Sequence, residues 1–250
     1  MRVKMIVTDL DGTLLRSDLS ISERTVSALN RCRAAGIKLA YATGRGSGSE
    51  NVAPAEMFDG RIINNGAVIF AGGVKYSRTM NYQEIRPFLF ACDKRGFKVT
   101  LQLEGMYYSN FDVSESWEHI KNFKIVDFER HELDTEKIVM YVETPGDEAF
   151  IRRNLTENMY LSVARDKLGM IMHREATKAK ALAELARFWG IERSEIAAFG
   201  DDLNDIDMLD YAGFGIAVGN ALDEVKAGAA YICGSNDDDG IAEWLEENII

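Results

Sequence analysis

Asp9-Leu10-Asp11-Gly12-Thr13 places two carboxylates two residues apart, directly after the short apolar run Val3 to Thr8. In an extended chain such residues project to the same side, roughly 7 Å apart, a spacing at which both can flank one phosphorus atom. A second cluster, Gly200-Asp201-Asp202-Leu203-Asn204-Asp205, follows the apolar run Ile196 to Phe199, and Asp207 and Asp210 come after it. Acidic residues are ordinary at a helix start, but this density exceeds what capping asks for. If these carboxylates face Asp9 and Asp11, repulsion is on the order of 2 kcal/mol per pair at about 7 Å and an effective dielectric near 20, which a hard cation removes. The clusters hold no His or Cys. Oxygen donors with room for water suit Mg²⁺ better than zinc.

Two further segments supply what an anion would need. Tyr41-Ala42-Thr43-Gly44-Arg45 closes another apolar run, and there the Thr43 hydroxyl and backbone N–H groups at the Gly44 turn could hold an anionic oxygen. Gly44, Gly46 and Gly48 do not form the G-x-G-x-x-G pattern, so a dinucleotide site is not supported. Lys178 opens the helical stretch Thr177 to Trp189, where a cation opposes the helix dipole at a cost of about 0.3–1 kcal/mol unless an anion sits there; Lys180 is its near competitor. Each cluster alone reads as a turn or a solvated helix end. Together they specify a carboxylate nucleophile, a second carboxyl, a divalent ion, a hydroxyl and a lysine around one anionic centre. Such a set forms an aspartyl phosphate that water then hydrolyses.

The elements that must position these groups follow a recognisable grammar. Val3 to Thr8, a helix beginning near Ser22 and closing at Gly36, then Ile37 to Ala42 and Ile62 to Ile63 read as strand, helix, strand and strand. The same grammar returns with the helix Thr177 to Trp189 and the strands Ile196 to Phe199, Phe214 to Val218 and Ala230 to Cys233. Strands that are short, wholly apolar and ended by Gly or a polar turn predict an α/β fold with a Rossmann-like, doubly wound, mainly parallel sheet. Between the two blocks the texture changes to longer alternating strands (Phe97 to Leu103, Lys137 to Val142, Gly169 to His173) and aromatic-rich helical pieces. The predicted organisation is a discontinuous core, 1–78 with 177–250, and an inserted α+β domain over 79–176.

These residues resemble the haloacid dehalogenase superfamily of phosphatases. DLDGT at 9–13, ATGR at 42–45, Lys178 and GDDLND at 200–205 are similar to its four motifs in order. The long insertion between the second and third motifs, with Asn64-Asn65-Gly66-Ala67, Val218-Gly219-Asn220-Ala221 and the 236–242 stretch NDDDGIA, resembles the Cof-like subfamily with a type-two α/β cap. The resemblance implies that Asp9 is the nucleophile and a metal ligand. Asp11 is then the general acid/base and ligates the metal through its backbone carbonyl. Thr43, with Gly44, and Lys178 would hold phosphoryl oxygens, Asn204 would contact the substrate phosphate, Asp201 would ligate Mg²⁺ and Asp205 would orient that shell. Ala179 and Val218 depart from the usual Gly and Met, and neither changes a reacting group.

The expected activity is therefore Mg²⁺-dependent hydrolysis of a small phosphorylated metabolite, a sugar phosphate foremost. A phosphomutase acting on hexose phosphates shares the intermediate and differs in what accepts the phosphoryl group. A phosphoacceptor switch is disfavoured, because an acid/base beside the nucleophile speeds turnover and a switch needs no hundred-residue insertion. Among the 250 residues, 29 Lys and Arg against 40 Asp and Glu give a net charge of −11, with no basic block, which excludes nucleic acid and anionic membrane as partners. No apolar run reaches the roughly 20 residues of a membrane span, and the N-terminus lacks a signal-like apolar stretch, so the chain reads as cytoplasmic. Cys32, Cys92 and Cys233 make neither a disulfide framework nor a zinc site and read as buried thiols. Selectivity should lie in the insertion, where Tyr107, Tyr108, Trp117 and Arg165 are candidates, although a core role suits the aromatics better.

Overall fold

The computed structural model describes residues 2–117, 120–130, 132–164 and 167–250; Arg165 lies outside them. In chain order the elements are β1 (Met5–Thr8), α1 (Glu23–Ala34), β2 (Lys38–Ala42), β3 (Gly60–Ile63), β4 (Val68–Ala71) and β5 (Val74–Ser77). Next come α2 (Tyr82–Lys94), β6 (Thr100–Leu103), β7 (Met106–Ser109), β8 (Phe123–Ile125), β9 (Lys137–Tyr141), α3 (Pro145–Asn154), β10 (Met159–Val163) and β11 (Leu168–His173). The chain ends with α4 (Lys178–Trp189), β12 (Ile196–Gly200), α5 (Ile206–Tyr211), β13 (Phe214–Ala217), α6 (Asp223–Gly228), β14 (Tyr231–Ile232) and α7 (Gly240–Asn248). It divides into two compact units, Met1–Tyr76 with Thr177–Ile250, and Ser77–Ala176.

The first unit is an eight-stranded sheet in the order β14-β13-β12-β1-β2-β3-β4-β5. Every residue of β1 and β12 is buried, as strands covered on both faces require. From β14 to β3 neighbouring strands run parallel. The crossover from β1 to β2 moves one way across the sheet and that from β12 to β13 the other, so right-handed connections set α1 and α5 on opposite faces. α1 packs with α7, and α4 packs with α5. The reversal falls between β1 and β12, which makes the carboxyl ends of these two strands the topological switch point, where open α/β sheets bind ligands.

The helices begin and end as their sequences dictate. Ser22 caps α1 by accepting from Thr25 N–H, and Thr177 caps α4 by accepting from Lys180 N–H. α4 stops at Gly190 in the left-handed conformation and buries Ala181, Leu182, Leu185 and Ala186 on one face. The β4–β5 hairpin, antiparallel to β3 at β4, is an addition to the expected sheet. Its sequence signal was the Gly72-Gly73 pair between the apolar run Val68 to Ala71 and the alternating Val74-Lys75-Tyr76-Ser77.

The second unit is a six-stranded sheet in the order β10-β11-β9-β6-β7-β8, largely antiparallel, with the β7–β8 pair parallel. Ile85, Phe88 and Leu89 of α2 and Ile151 of α3 share one core with Leu101, Ile138, Met140 and Ile171 from alternate strand positions. The strand expected from Phe97 begins at Thr100, because Phe97 N–H instead donates to Cys92 O (3.1 Å) and closes α2. Tyr108 packs against this core, and Trp117 stacks on Tyr141 at 5.8 Å between ring centroids. Tyr107 is only half-buried and lies outside that core. Cys32 and Cys92 are buried, whereas Cys233 is half-buried, which corrects the expectation for the third thiol.

Candidate active site

The parallel register delivers the two acidic motifs to the same place. Thr8, the last residue of β1, pairs with Phe199 on one side and Tyr41 on the other. Asp9 N–H donates to Phe199 O (2.9 Å), which extends the alignment by one residue and sets Asp9 beside the loop from Gly200 to Asp205. Three residues after Asp9, Gly12 adopts φ +77°, and a Cβ there would come within 2.7 Å of Asp201 Oδ2. Conformation and space both demand glycine. The turn thus lets Thr13 Oγ1 donate to Asp201 Oδ1 (2.8 Å), a buried link between the first and last motifs.

Asp9, Asp201 and Asp205 are all buried, and each offers a carboxylate oxygen within 4.8 Å of the others'. Lys178 enters from the start of α4, fully buried, with Nζ 2.6 Å from Asp9 Oδ1 and 2.6 Å from Asp205 Oδ1. The other oxygen of Asp205 accepts from Asp201 N–H (3.0 Å) and Asp202 N–H (3.1 Å). Asp205 is therefore locked by three donors, and Lys178 serves the carboxylates rather than its own helix. Burial would discharge Lys178, but the charges of Asp205 and Asp9 outweigh it and hold the ammonium well above the ordinary lysine range. Burial also raises the Asp9 carboxyl well above its usual value despite Lys178, with repulsion from Asp205 and Asp201 adding to the effect. Asp201 is pushed up to about 6, by burial first and by Asp205 second.

A stability test follows from the sign of these shifts. A carboxyl whose folded pKa exceeds its unfolded one binds the proton more tightly when folded, so its charge destabilises above the folded pKa and the penalty fades as pH falls toward the unfolded value. Without divalent cations, Asp201→Asn is expected to melt above wild type at pH 7.5, the gap narrowing toward pH 5. Thermal melts at the two values check this; a gap that widens on acidification contradicts it.

Asp11 stands apart from the buried triad, with its side chain 47% exposed. Arg45 grips it in a two-pronged pair, Nε to Oδ2 at 2.7 Å and Nη2 to Oδ1 at 2.5 Å. Thr43 is buried, and the turn after it is partly self-satisfied: Thr43 N–H donates to Ile62 O (2.9 Å) and Arg45 N–H to Thr43 Oγ1 (3.1 Å). Of the donors expected around Gly44, these two backbone groups are turned inward. Asn204 Nδ2 donates to Asn65 Oδ1 (3.0 Å), and that oxygen would lie 3.2 Å from a Cβ on Gly44. Asn204, Asn65 and Gly44 are thus neighbours.

The structure therefore brings Asp9, Asp201, Asp205 and Lys178 into direct contact and sets Asp11 on the turn that follows Asp9. Sequence reasoning missed the Thr13 link, the Arg45–Asp11 pair and the part of Asn65. The Thr within DLDGT and the Arg within ATGR were the available signals.

A sequence profile of the haloacid dehalogenase-like hydrolases matches residues 6–245. The chain belongs to this family. It is similar to a putative phosphatase of Haemophilus influenzae, 29% identical over 99% of this chain and 98% of the relative. It is also similar to the Bacillus subtilis 5-amino-6-(5-phospho-D-ribitylamino)uracil phosphatase YitU, 29% identical over 97% and 96% of the two chains. Among solved structures it matches a subclass IIB sugar phosphatase of the superfamily, with a TM-score of 0.86, 26% identity and 98% coverage of both chains. This haloacid dehalogenase-like hydrolase is accordingly a phosphatase, with a Rossmann-like core. Among its described residues no helix is long and apolar enough to cross a membrane.

Proposed function

We propose that this chain is a Mg²⁺-dependent phosphomonoesterase that hydrolyses a phosphorylated sugar or polyol through an aspartyl phosphate on Asp9. The observation that carries the reading is the cluster at the switch point, where Lys178 bridges Asp9 and Asp205 with Asp201 beside them. The substrate class is what the relatives share: a sugar phosphatase and an enzyme named for a phosphoribityl compound both act on phosphate esters of hydroxylated carbon chains.

The donor set fits a divalent cation. Three buried carboxylates and one ammonium carry a formal charge of −2, all donors are oxygen, and burial raises two of the carboxyls. Asp9 and Asp201 would hold Mg²⁺ with the Asp11 carbonyl, and Asp205 would orient them. Bound there, the ion supplies positive charge against the phosphoryl oxygens.

In the first step an Asp9 carboxylate oxygen attacks phosphorus. The new Asp9–phosphorus bond forms as the ester oxygen departs, and the Asp11 carboxyl gives that oxygen its proton. In the second, the Asp11 carboxylate takes a proton from water, whose oxygen attacks phosphorus and releases Asp9 and inorganic phosphate. Thr43 and Lys178 hold the phosphoryl oxygens throughout, and Asn204 and the Gly44 turn contact the same group. The 77–176 unit is proposed to select the leaving group.

The test is phosphate release from a panel of hexose, pentose and polyol phosphates with Mg²⁺ and with EDTA. Release that EDTA suppresses is expected. No release from any ester, or a hexose 1-phosphate converted to its 6-phosphate isomer without free phosphate, overturns the reading.

A further inference from the structure

The turn that carries Asp11 is held by two amides from the far end of the chain. Within it, Leu15 N–H donates to Leu10 O (2.8 Å) and Leu14 N–H to Asp9 O (3.3 Å). The carbonyls are met from elsewhere. Asn220 Nδ2 donates to Gly12 O (2.7 Å), Asn236 Nδ2 donates to Leu15 O (2.8 Å), and Asn236 N–H donates to Asn220 Oδ1 (3.0 Å). Both ends of the Asn220 amide are thereby engaged. Flipped, it would face oxygen to oxygen at Gly12 and N–H to N–H at Asn236, so the contacts fix its orientation.

The backbone is shaped to bring these amides in. Asn220 follows β13 after Gly219, whose N–H donates to Gly234 O (3.0 Å), and a Cβ on Gly219 would lie 2.9 Å from Ser235 N. A side chain at 219 would push the 234–236 segment away and take Asn236 off the turn. Farther along, Asp237 accepts from Ser17 N–H (2.8 Å) and Ser17 Oγ (2.6 Å). The clamp therefore has an inner part on the Asp11 turn and an outer part beyond it.

We propose that Asn220 and Asn236 are positioning residues that fix Asp11 for proton transfer to the departing oxygen. This rests on the proposed acid/base role of Asp11. Gly12 is the flexible joint next to Asp11, and its carbonyl is the atom that Asn220 holds. A glycine has other conformations of similar energy, so losing that donor lets the peptide beside Asp11 turn. Proton transfer needs hydrogen-bond reach, and a misplacement of about 1 Å costs on the order of 10²-fold. Asn220 is exposed, so water replaces its hydrogen bonds and the fold survives its loss.

The test compares kcat/KM for two esters with Mg²⁺ present: a hexose 6-phosphate, whose alkoxide must be protonated as it leaves, and 4-nitrophenyl phosphate, whose phenoxide leaves without help. Asn220→Ala and Asn236→Ala are each expected to lower kcat/KM about tenfold or more on the hexose phosphate and less than about threefold on the aryl phosphate. Asn220→Asp keeps the acceptor for Asn236 and loses the donor for Gly12, so it is expected to behave as the Ala variant does. Asp237→Ala, which cuts only the outer part, is expected to leave both values within about twofold of wild type. An active wild type whose two esters respond alike to Asn220→Ala, or the same skew in Asp237→Ala, overturns the assignment. A wild type inert toward both esters overturns the proposed function, and the assignment with it.

Discussion

Asp9→Asn is expected to lower kcat for phosphate release by roughly 10⁴-fold or more while raising the melting temperature of the cation-free protein, or leaving it unchanged. The loss of turnover follows because an amide oxygen is a poor nucleophile toward phosphorus, and the neighbouring carboxylates, Asp201 and Asp205, belong to the loop after β12 and not to the end of β1. The gain in stability follows from the same site. Asp9 is buried against Asp201 and Asp205, and its carboxyl is raised because burial and those two charges outweigh Lys178. An amide keeps an oxygen for Lys178 Nζ, 2.6 Å away in the wild type, and removes the charge that burial penalises. Activity and stability should therefore move in opposite directions, as expected where a site is held at the expense of the fold. Phosphate release with Mg²⁺ and thermal melts in EDTA measure the two halves. Turnover within about tenfold of wild type would remove Asp9 from the nucleophile's place. A lower melting temperature would show that its charge stabilises the fold.

The two acidic motifs were legible in the sequence because each is local: an apolar strand, then carboxylates packed more densely than capping needs. The doubly wound core was legible for a related reason, since wholly buried parallel strands write their pattern in consecutive residues. What joins the motifs was not. Lys178 and Asp9 are 169 positions apart, and Thr13 and Asp201 are 188 apart. Their contact depends on the register that aligns Thr8 with Phe199, and no residue type encodes a register. Lys178 itself showed only as a misplaced cation at a helix start, a cost without a visible benefit. The benefit is two carboxylates that belong to other segments. Arg45 illustrates the opposite case, in which the residue sits inside a motif already singled out. Its bidentate hold on Asp11 depends on how the turn after Thr43 folds back, with Arg45 N–H on Thr43 Oγ1. Asn220 and Asn236 stood in stretches whose resemblance suggested importance but supplied no contact. What they reach, the carbonyls of Gly12 and Leu15, lies more than 200 positions earlier in the chain and shows only in the folded structure.

Lys178→Met is expected to damage both folding and chemistry, and pH separates the causes. The ammonium is fully buried and shared by two carboxylates, so removing it leaves Asp9 and Asp205 facing each other without a cation between them. Losing one partner of a buried ion pair costs about 3–5 kcal/mol, far more than the net worth of a surface pair. Part of that cost can be relieved by a proton. With Lys178 gone, the Asp9 carboxyl, already raised, rises further, and a raised folded pKa means that protonation favours the folded state. The loss of stability should therefore be largest near pH 8 and smaller near pH 5, measured by urea unfolding in EDTA. Lys178→Arg keeps the charge but must fit a planar guanidinium where no side-chain surface is exposed, so a loss between those of wild type and Met is expected. For turnover, losing the cation proposed to hold the phosphoryl oxygens should cost on the order of 10²–10³-fold with Mg²⁺ present. Added Mg²⁺ should restore part of the lost stability of Lys178→Met, because it compensates the same carboxylates, while leaving most of the turnover deficit. Equal losses at pH 5 and pH 8 would show that the cost is packing and not charge, and that Lys178 does not hold the two carboxylates together electrostatically.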